Sequence, residues 1–251
     1  KNGDDITAGN LNAPHNEIVN YINTNINSVI YIDSDTTKTV GSGGDFGTLQ
    51  EAINYFSTVV RTTARVGGTI LLKSGFILDE GVLLSGMNLG WVTIESEDPI
   101  VYVNPNAAFG TGGSTNPVTQ YHNIISYRGQ LPTINTSFEA QNHNVSNYTL
   151  LTLTESSFLR VISGNKILND NNVTGNKSIQ LNVQSTFIGS GCTFNDMEIK
   201  ENSYAFLENA DCGNIRLLSF ATADISRASY ASINVTLNAF DIRGLALDRS
   251  I

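Results

Sequence analysis

Cysteine, histidine and charged residues are scarce in this sequence of 251 residues. It contains two cysteines and three histidines, and charged side chains make up 15% of it. Cys192 and Cys212 are too few to build a disulfide framework, and no histidine stands at zinc-ligand spacing from either of them. A disulfide-stapled scaffold and a Cys/His zinc module are therefore excluded, and the sequence predicts neither a metal site nor a cofactor.

Clusters of basic residues and long apolar runs are lacking as well. The formal net charge is −9, whereas a nucleic-acid backbone is bound by clustered Lys and Arg. No apolar stretch approaches the roughly 18 residues of a membrane-spanning helix. We therefore predict neither a nucleic-acid partner nor membrane insertion. An acidic surface repels acidic polysaccharides at long range, although a local basic patch still allows them to bind.

Glycine motifs that bind phosphate are also missing. The segment Gly41–Gly44 lacks the Lys-Ser/Thr of a phosphate-binding loop, and no serine-hydrolase elbow or dinucleotide glycine pattern occurs in its required context. The four glycines between residues 41 and 47 instead favour a tight turn. Thr48 is placed to cap a helix near residues 48–60, whose apolar face is formed by Leu49, Ala52, Ile53 and Phe56.

Short apolar runs separated by turn residues are abundant from Gly67 onward. Thr69–Leu72, Val92–Ile94 and Ile100–Val103 are examples. Together with the abundance of Asn, Ser, Thr and Gly, these runs indicate a mainly β protein. The spacing fits either stacked parallel coils or an antiparallel sandwich. An internal repeat in the sequence would distinguish the two architectures.

The C-terminal half contains one weak repeat of 20 residues. Ser178–Met197 overlays Glu198–Leu217, and like falls on like at Ile179/Ile199, Asn182/Asn202, Phe187/Leu207, Cys192/Cys212 and Met197/Leu217. Such partners would stack about 4.8 Å apart in adjacent parallel strands, with an amide ladder between the two asparagines. The repeat favours parallel stacking, with both thiols filling the core rather than forming a disulfide.

Two segments carry a resemblance to a known family. Val40–Ile53 (VGSGGDFGTLQEAI) and Gly68–Leu78 (GTILLKSGFIL) resemble the N-terminal part of pectin-lyase-like β-helices, above all those of bacteriophage tail spikes and tail fibres. The resemblance implies a right-handed parallel β-helix that is capped by a short N-terminal α-helix, preceded by a short helical stem, and trimeric.

The first 38 residues differ from the rest of the chain. Val19, Ile22, Ile26 and Val29 form a short heptad seam, and β-branched residues at both core positions favour three strands. A single amphipathic helix packed on its own domain is the alternative. Because Ile6–Ile18 resembles segments that precede the body of tail fibres, we predict a stem over residues 1–38 and a β-helix body over residues 39–251.

The same resemblance implies a function. It implies a virion protein, made in the bacterial cytoplasm, that attaches the phage to a bacterial surface polysaccharide. The implied partners are two further copies of the chain and other tail or baseplate proteins. Two alternatives remain open, namely a polysaccharide depolymerase on the same trimer, acting as a glycoside hydrolase or a lyase, and a structural adaptor that holds another fibre.

Asp196 and Glu198 are the candidate catalytic pair for a depolymerase. Glycoside hydrolysis uses two carboxyl groups about 5 to 9.5 Å apart. If Met197 and Ile199 point inward, strand alternation turns both carboxylates outward, about 7 Å apart. A plainer interpretation is two ion pairs, because the 20-residue overlay places Arg216 beside Asp196 and lets Lys200 neutralise Glu198.

Aromatic and basic residues in the middle of the chain are the candidates for sugar binding. Tyr121, His122, Tyr127 and Arg128 fall between Asn104 and Asn147, where periodicity fades, so a loop is the plainer interpretation. All three histidines are predicted at surface or loop positions, and Trp91 and Tyr204 are predicted to pack inward. The acidic segments Asp79–Glu80 and Glu95–Asp98 are predicted to be solvated carboxylates beside turns.

Overall fold

The computed structural model describes residues 30–111, 120–141, 143–169 and 175–235, and the backbone of residues 242–243. The described part is mainly β, with one α-helix and sheets whose strands are almost all parallel. This confirms the predicted mainly β class. The predicted stem seam, formed by Val19, Ile22, Ile26 and Val29, lies outside the described residues. No helix in the described part is long and apolar enough to cross a membrane.

The described strands and the helix follow one another in a simple order. The α-helix, α1, spans Leu49–Thr58, and a 3₁₀ turn spans Pro105–Ala107. The strands are β1 (Ile30–Ile32), β2 (Thr36–Val40), β3 (Val59–Arg61), β4 (Gly68–Leu72), β5 (Ile77–Leu78), β6 (Val82–Ser85), β7 (Val92–Val103), β8 (Phe109–Thr111), β9 (Gln120–Tyr127), β10 (Thr133–Ala140), β11 (Tyr148–Thr154), β12 (Phe158–Arg160), β13 (Lys166–Leu168), β14 (Lys177–Leu181), β15 (Thr186–Ile188), β16 (Thr193–Phe194), β17 (Met197–Ile199), β18 (Tyr204–Phe206), β19 (Asp211–Leu217), β20 (Thr222–Asp224), β21 (Ser229–Val235) and β22 (Ile242–Arg243).

These strands form three sheets. The largest has 15 strands, a second contains β12, β15, β18, β20 and β22 in that order, and a small one pairs β1 with β3. Among the described strands every pairing is parallel except that of β8 with β9. Such stacking of short parallel strands is compatible with a β-helix.

The stack repeats every 18 residues in the C-terminal half. Ile179 pairs with Met197, Met197 with Ile215, and Ile215 with Ile233. The first three of these side chains are buried, at 0 to 2% exposure. The second sheet follows the same interval, because Phe187 pairs with Ala205 and Ala205 with Ala223. Each apolar residue therefore packs on its counterpart one level away.

The predicted 20-residue repeat is wrong in its register. Met197 pairs with Ile215 rather than with Leu217, and Cys212 pairs with Phe194 rather than with Cys192. The physical reason is the two-residue period of a strand: a slip of two residues leaves every inward side chain inward. Both 18 and 20 place apolar residues on apolar residues, and only the backbone pairing distinguishes them.

Helix α1 has the predicted start and the predicted apolar face. Thr48 caps it by accepting a hydrogen bond from the Glu51 N–H, and the Glu51 side chain binds the Thr48 N–H in return. The predicted apolar residues Leu49, Ala52, Ile53 and Phe56 are all buried, at 0 to 1% exposure. Before the helix, Gly41 and Gly43 adopt positive φ angles, as the predicted turn requires.

The helix covers one end of the parallel stack. It contacts β2 and β6, the two strands at which the order of the large sheet starts and finishes. Gln50 holds it to β6 because its side-chain oxygen accepts from the Leu83 N–H at 2.7 Å and its amide nitrogen donates to the Leu83 carbonyl at 3.2 Å. The helix therefore shields apolar residues at the end of the core from water.

The two acidic segments have structural partners rather than the predicted purely solvated positions. Glu80 is half-buried and accepts hydrogen bonds from the Leu49 and Gln50 N–H groups at the start of α1. Burial raises its pKa above the usual range for a glutamate, although these hydrogen bonds oppose the rise. Asp98, inside β7, accepts from the Gly75 N–H at 2.6 Å.

A Cβ at Gly68 would disturb the packing beneath the helix. It would lie 2.7 Å from Cε1 of Phe56 and 2.9 Å from Cζ3 of Trp91. Because the Phe56 ring is buried, we expect Gly68→Ala to lower the free energy of unfolding by about 2 kcal/mol. Urea unfolding followed by circular dichroism measures this.

The neighbouring Gly67 supplies the matched control for this variant. A Cβ there would lie 3.6 Å from Oδ1 of Asp35, an ordinary contact, so Gly67→Ala should change stability by less than about 0.5 kcal/mol. Equal losses in both variants would contradict the packing explanation.

The middle of the chain is more regular than predicted. Instead of an irregular stretch between Asn104 and Asn147, the structure has two strands of eight residues, β9 and β10. Periodicity fades there because buried polar residues such as His122 and Asn123, at 1% and 0% exposure, interrupt the apolar pattern. At the other end of the body, β2 crosses the predicted domain boundary between residues 38 and 39.

Candidate functional site

The outward face of the second sheet carries large apolar side chains. In β12, β15 and β18 the middle residue points into the core: Leu159, Phe187 and Ala205 are fully buried. The residues on either side of each therefore point outward. They form two files, Phe158–Thr186–Tyr204 and Arg160–Ile188–Phe206.

A groove of about 480 Å³ runs across this face and continues onto the neighbouring polypeptide of β10. It is partly open to solvent and combines aromatic, aliphatic and hydrogen-bonding groups. Its lining is formed by Gly90, Gln130, Thr133, Phe158, Arg160, Ile188, Ser190 and Phe206.

Two phenylalanines occupy separate levels of the groove. Phe158 belongs to β12 and Phe206 to β18, with β15 between them. Two strand spacings separate the levels by about 10 Å. Both side chains are half-buried on the outward face, so part of each ring is accessible to solvent. Accessible aromatic rings are suited to stacking on a flat apolar surface of a ligand.

The polar side chains of the groove include one cation without a partner. Arg160 is exposed, and no described residue forms a hydrogen bond or an ion pair with its guanidinium group. Gln130 lies nearby. Its backbone forms isolated parallel β-bridges with Asn88 on one side and with Phe158 on the other, which hold it in place. Its side-chain amide lies over Gly90, where a Cβ would overlap it. Both residues offer hydrogen-bond donors to the groove.

Asp196 and Glu198, the predicted catalytic pair, lie on the large sheet instead. Met197 and Ile199 are buried as predicted. Glu198 does not project freely into solvent, because its side chain is 7% exposed and its carboxylate lies 3.3 Å from Nζ of Lys200. Asp196 accepts from both the backbone and the side-chain nitrogen of Asn214, at 3.2 and 2.7 Å. Both carboxylates therefore have hydrogen-bonding or ionic partners.

The predicted partner of Asp196 is wrong, whereas that of Glu198 is confirmed. Arg216 pairs with Glu198, at 3.4 Å between Nη1 and Oε2, and not with Asp196. The cause is the 18-residue register, which shifts every cross-strand partner by two positions. Lys200 follows Glu198 by two residues at the end of the same strand, so their side chains lie on one face and their contact does not depend on that register.

Tyr121 and His122 lie in strand β9 rather than in a loop. His122 is buried, with Nδ1 at 2.8 Å from Oγ1 of Thr152 and Nε2 at 3.1 Å from Oγ1 of Thr111. Burial and the nearby positive charge of Lys177 lower the pKa of His122 to about 4. The predicted surface or loop position is wrong for His122. His143 lies in the predicted loop, between β10 and β11, but is buried there, and His15 lies outside the described residues.

Tyr127 and Arg128 are separated from the other two candidates. Tyr127 ends β9, and Arg128 follows it with a positive φ of 52° and an ion pair of 2.5 Å to Glu155. Burial and the charge of Glu155 raise the pKa of Tyr127. Arg128 and Glu155 also line a shallow groove with Val183. The four predicted sugar-binding residues therefore do not form one site.

The two thiols are buried core residues without a disulfide, as predicted. Burial raises the pKa of Cys192 to about 11 and that of Cys212 to about 12. Both groups are therefore protonated and unreactive near neutral pH. Within the described residues no group of three or more His, Cys, Asp or Glu side chains is arranged to hold a metal ion.

The sequence patterns described above do not predict the groove on the second sheet. Its signal is a set of tripeptides in which a buried residue is flanked by large side chains, Phe158-Leu-Arg160 and Tyr204-Ala-Phe206. Tyr204 was predicted to point inward with Phe206, but Ala205 takes the inward position and both aromatics are half-buried on the outer face. Trp91 packs as predicted, with its ring 5.6 Å from that of Phe56.

Comparisons with known proteins leave the function to be argued from this geometry. No protein-family model matches the sequence. No curated protein matches it either.

Proposed function

We propose that the chain is a tail-spike or tail-fibre component of a bacteriophage that binds a bacterial surface polysaccharide in the groove on its second sheet. The observation that carries this proposal is the pair of half-buried rings of Phe158 and Phe206, which lie on levels about 10 Å apart in the parallel ladder. In the proposed assembly the stack is a right-handed β-helix, and three chains associate through the seam formed by Val19, Ile22, Ile26 and Val29.

A sugar chain suits this groove for two physical reasons. The C–H faces of sugar rings are apolar and stack on aromatic side chains, while sugar hydroxyls need hydrogen-bonding groups at the rim. Phe158 and Phe206 offer the first kind of contact, and Arg160, Gln130 and Ser190 offer the second.

The composition of the groove supports binding rather than cleavage at this place. Glycoside hydrolysis uses a pair of carboxyl groups beside the bond that breaks. None of the residues that line the described groove is Asp or Glu. Asp196 and Glu198 lie on the large sheet and contact Asn214, Lys200 and Arg216.

A panel of purified bacterial capsular polysaccharides and lipopolysaccharide O-chains tests the proposal. We expect the protein to bind at least one of them, and we expect Phe158→Ala and Phe206→Ala each to weaken binding about tenfold through loss of stacking. Tyr31→Ala is the control, because Tyr31 is 60% exposed and lies outside the groove. Biolayer interferometry on each variant measures the affinities.

Three outcomes would overturn this proposal. If Phe158→Ala and Phe206→Ala both bind the polysaccharide as tightly as the unaltered protein, the polysaccharide does not bind in the groove. Release of oligosaccharides that stops in Asp196→Asn or Glu198→Gln would identify a depolymerase instead. No binding to any polysaccharide, together with co-purification of another virion protein, would identify an adaptor.

A further inference from the structure

Three cations converge on one buried carboxylate on the large sheet. Oε1 of Glu198 lies 3.3 Å from Nζ of Lys200, and Oε2 lies 3.4 Å from Nη1 of Arg216 and 3.9 Å from Nζ of Lys177. Gln180 adds a hydrogen bond from its side-chain amide to Oε1 at 3.3 Å. We call Lys177, Lys200, Arg216 and Glu198 the cation cluster.

The cation cluster holds more positive than negative charge. Three cations face Glu198. Among the described residues, the only other carboxylate that acts on Lys177 is Asp196, which already binds Asn214. Burial lowers the pKa of Lys177. The negative charge of Glu198 acts to raise this pKa, whereas the positive charges of Lys200 and Arg216 lower it further. A local positive excess is notable in a chain whose formal net charge is −9.

The arrangement leaves donors available on the outer side of the cluster. The Glu198 side chain is 7% exposed, whereas those of Lys177, Lys200 and Arg216 are 19%, 25% and 57% exposed. Within the described residues the Arg216 side chain has Glu198 as its only hydrogen-bond partner and is 57% exposed, so donors of its guanidinium group remain available to a ligand. A planar guanidinium is well matched to carboxylate and phosphate oxygens.

We propose that the cation cluster binds one oxyanionic group, a carboxylate or a phosphate ester, carried by a sugar. Glu198 acts as a resident counter-ion that keeps the three cations in place when no ligand is bound. The proposal rests on the proposed function only in naming a sugar as the carrier. The cluster lies on a different sheet from the groove, so neutral sugars can bind in the groove whether or not the cluster binds an anion.

Glu198→Gln separates a binding site from a purely structural ion cluster. The glutamine keeps the shape but removes the competing negative charge, so we expect the affinity for inorganic phosphate to rise about tenfold over that of the unaltered protein. We also expect the variant to unfold at a lower temperature in dilute buffer, because three neighbouring cations lose their counter-ion. Added phosphate should then restore much of the lost Tm.

Controls are needed because phosphate raises the Tm of many proteins by exclusion from their surface. Adding Arg216→Gln to Glu198→Gln should abolish the extra Tm rise, whereas adding Arg65→Gln, at an exposed arginine outside the cluster, should preserve it. The proposal would be overturned if phosphate raised the Tm of the unaltered protein, Glu198→Gln and Glu198→Gln/Arg216→Gln by equal amounts.

Comparing anions identifies the carrier. Differential scanning fluorimetry of Glu198→Gln is run with inorganic phosphate, methyl glucuronide, glucose 6-phosphate and neutral methyl glucoside. We expect the two sugar-borne anions to protect at lower concentration than inorganic phosphate, and methyl glucoside to give no protection through the cluster. Stronger protection by inorganic phosphate would assign the cluster to a free anion and overturn the sugar as carrier. If Phe158→Ala left polysaccharide binding unchanged, the groove proposal would fail while the phosphate result would still stand. The two proposals therefore fail separately.

Discussion

Replacing Gly213 with alanine is expected to lower the free energy of unfolding by about 3 kcal/mol or more. Gly213 lies in β19 where the chain passes over Asn195 of the previous level. A Cβ at this position would lie 2.7 Å from the carbonyl carbon of Asn195, and closer still to its oxygen. The obstacle is backbone, so it cannot turn aside as a side chain can.

The backbone of Asn195 is also held on both sides. Phe194 pairs with Cys212, and Met197 pairs with Ile215. Relief of the clash would therefore separate β19 from β16 or from β17 and expose buried apolar residues. The loss should exceed that of Gly68→Ala, where the obstacle consists of ring atoms.

Urea unfolding of Gly213→Ala measures the effect, with Gly47→Ala as its control. The nearest atom to a Cβ at Gly47 is Oε2 of Glu51 at 3.6 Å, so this variant should change stability by less than about 0.5 kcal/mol. A Gly213→Ala variant as stable as Gly47→Ala would show that β19 does not approach Asn195 this closely.

Acidification from pH 7 to pH 4 is expected to remove about 3 kcal/mol of stability through His122 alone. In the folded chain its pKa is lowered to about 4 by burial and by Lys177, whereas an unfolded chain has the ordinary histidine pKa of about 6.5. The unfolded chain therefore takes up a proton as the pH falls below about 6.5, whereas His122 in the folded chain takes one up only as the pH approaches 4. The stabilising contribution is complete above pH 6.5 and is lost as the pH falls towards 4.

The comparison of the unaltered protein with His122→Asn isolates this contribution. Asparagine is neutral throughout, so the difference between the two stability curves should change by about 3 kcal/mol over this pH range. The contributions of other acidic groups are common to both proteins and cancel. NMR titration of the imidazole should show His122 neutral down to about pH 4. Parallel stability curves, or an imidazole that titrates near pH 6.5, would contradict the prediction.

Local chemistry made the start of the fold predictable from the sequence. Thr48 and Glu51 form a capping box, and the spacing of Leu49, Ala52, Ile53 and Phe56 selects one buried helix face, as the structure confirms. Both signals act over a few residues and do not depend on distant partners. The mainly β class followed in the same way from short apolar runs and turn residues.

Strand β9, in the middle of the chain, could not be predicted from the sequence because it buries polar side chains. His122 is buried in β9 because hydroxyl groups of Thr111 and Thr152 satisfy both ring nitrogens. Those partners are 11 and 30 residues away in the sequence, so no local pattern distinguishes such a strand from a polar loop. The four residues predicted to bind sugar together consequently fall in separate environments.

The sequence alone determined which residues begin the helix, that Met197 and Ile199 face inward, and that the body is built from short strands. Only the tertiary structure decided the 18-residue register, and with it the contact of Arg216 with Glu198 and the placing of Phe158 and Phe206 in neighbouring files of the groove. The physical reason is that strand alternation is unchanged by a slip of two residues. Turn lengths and backbone hydrogen bonds between levels select one register, and that choice places each outward side chain beside its neighbours.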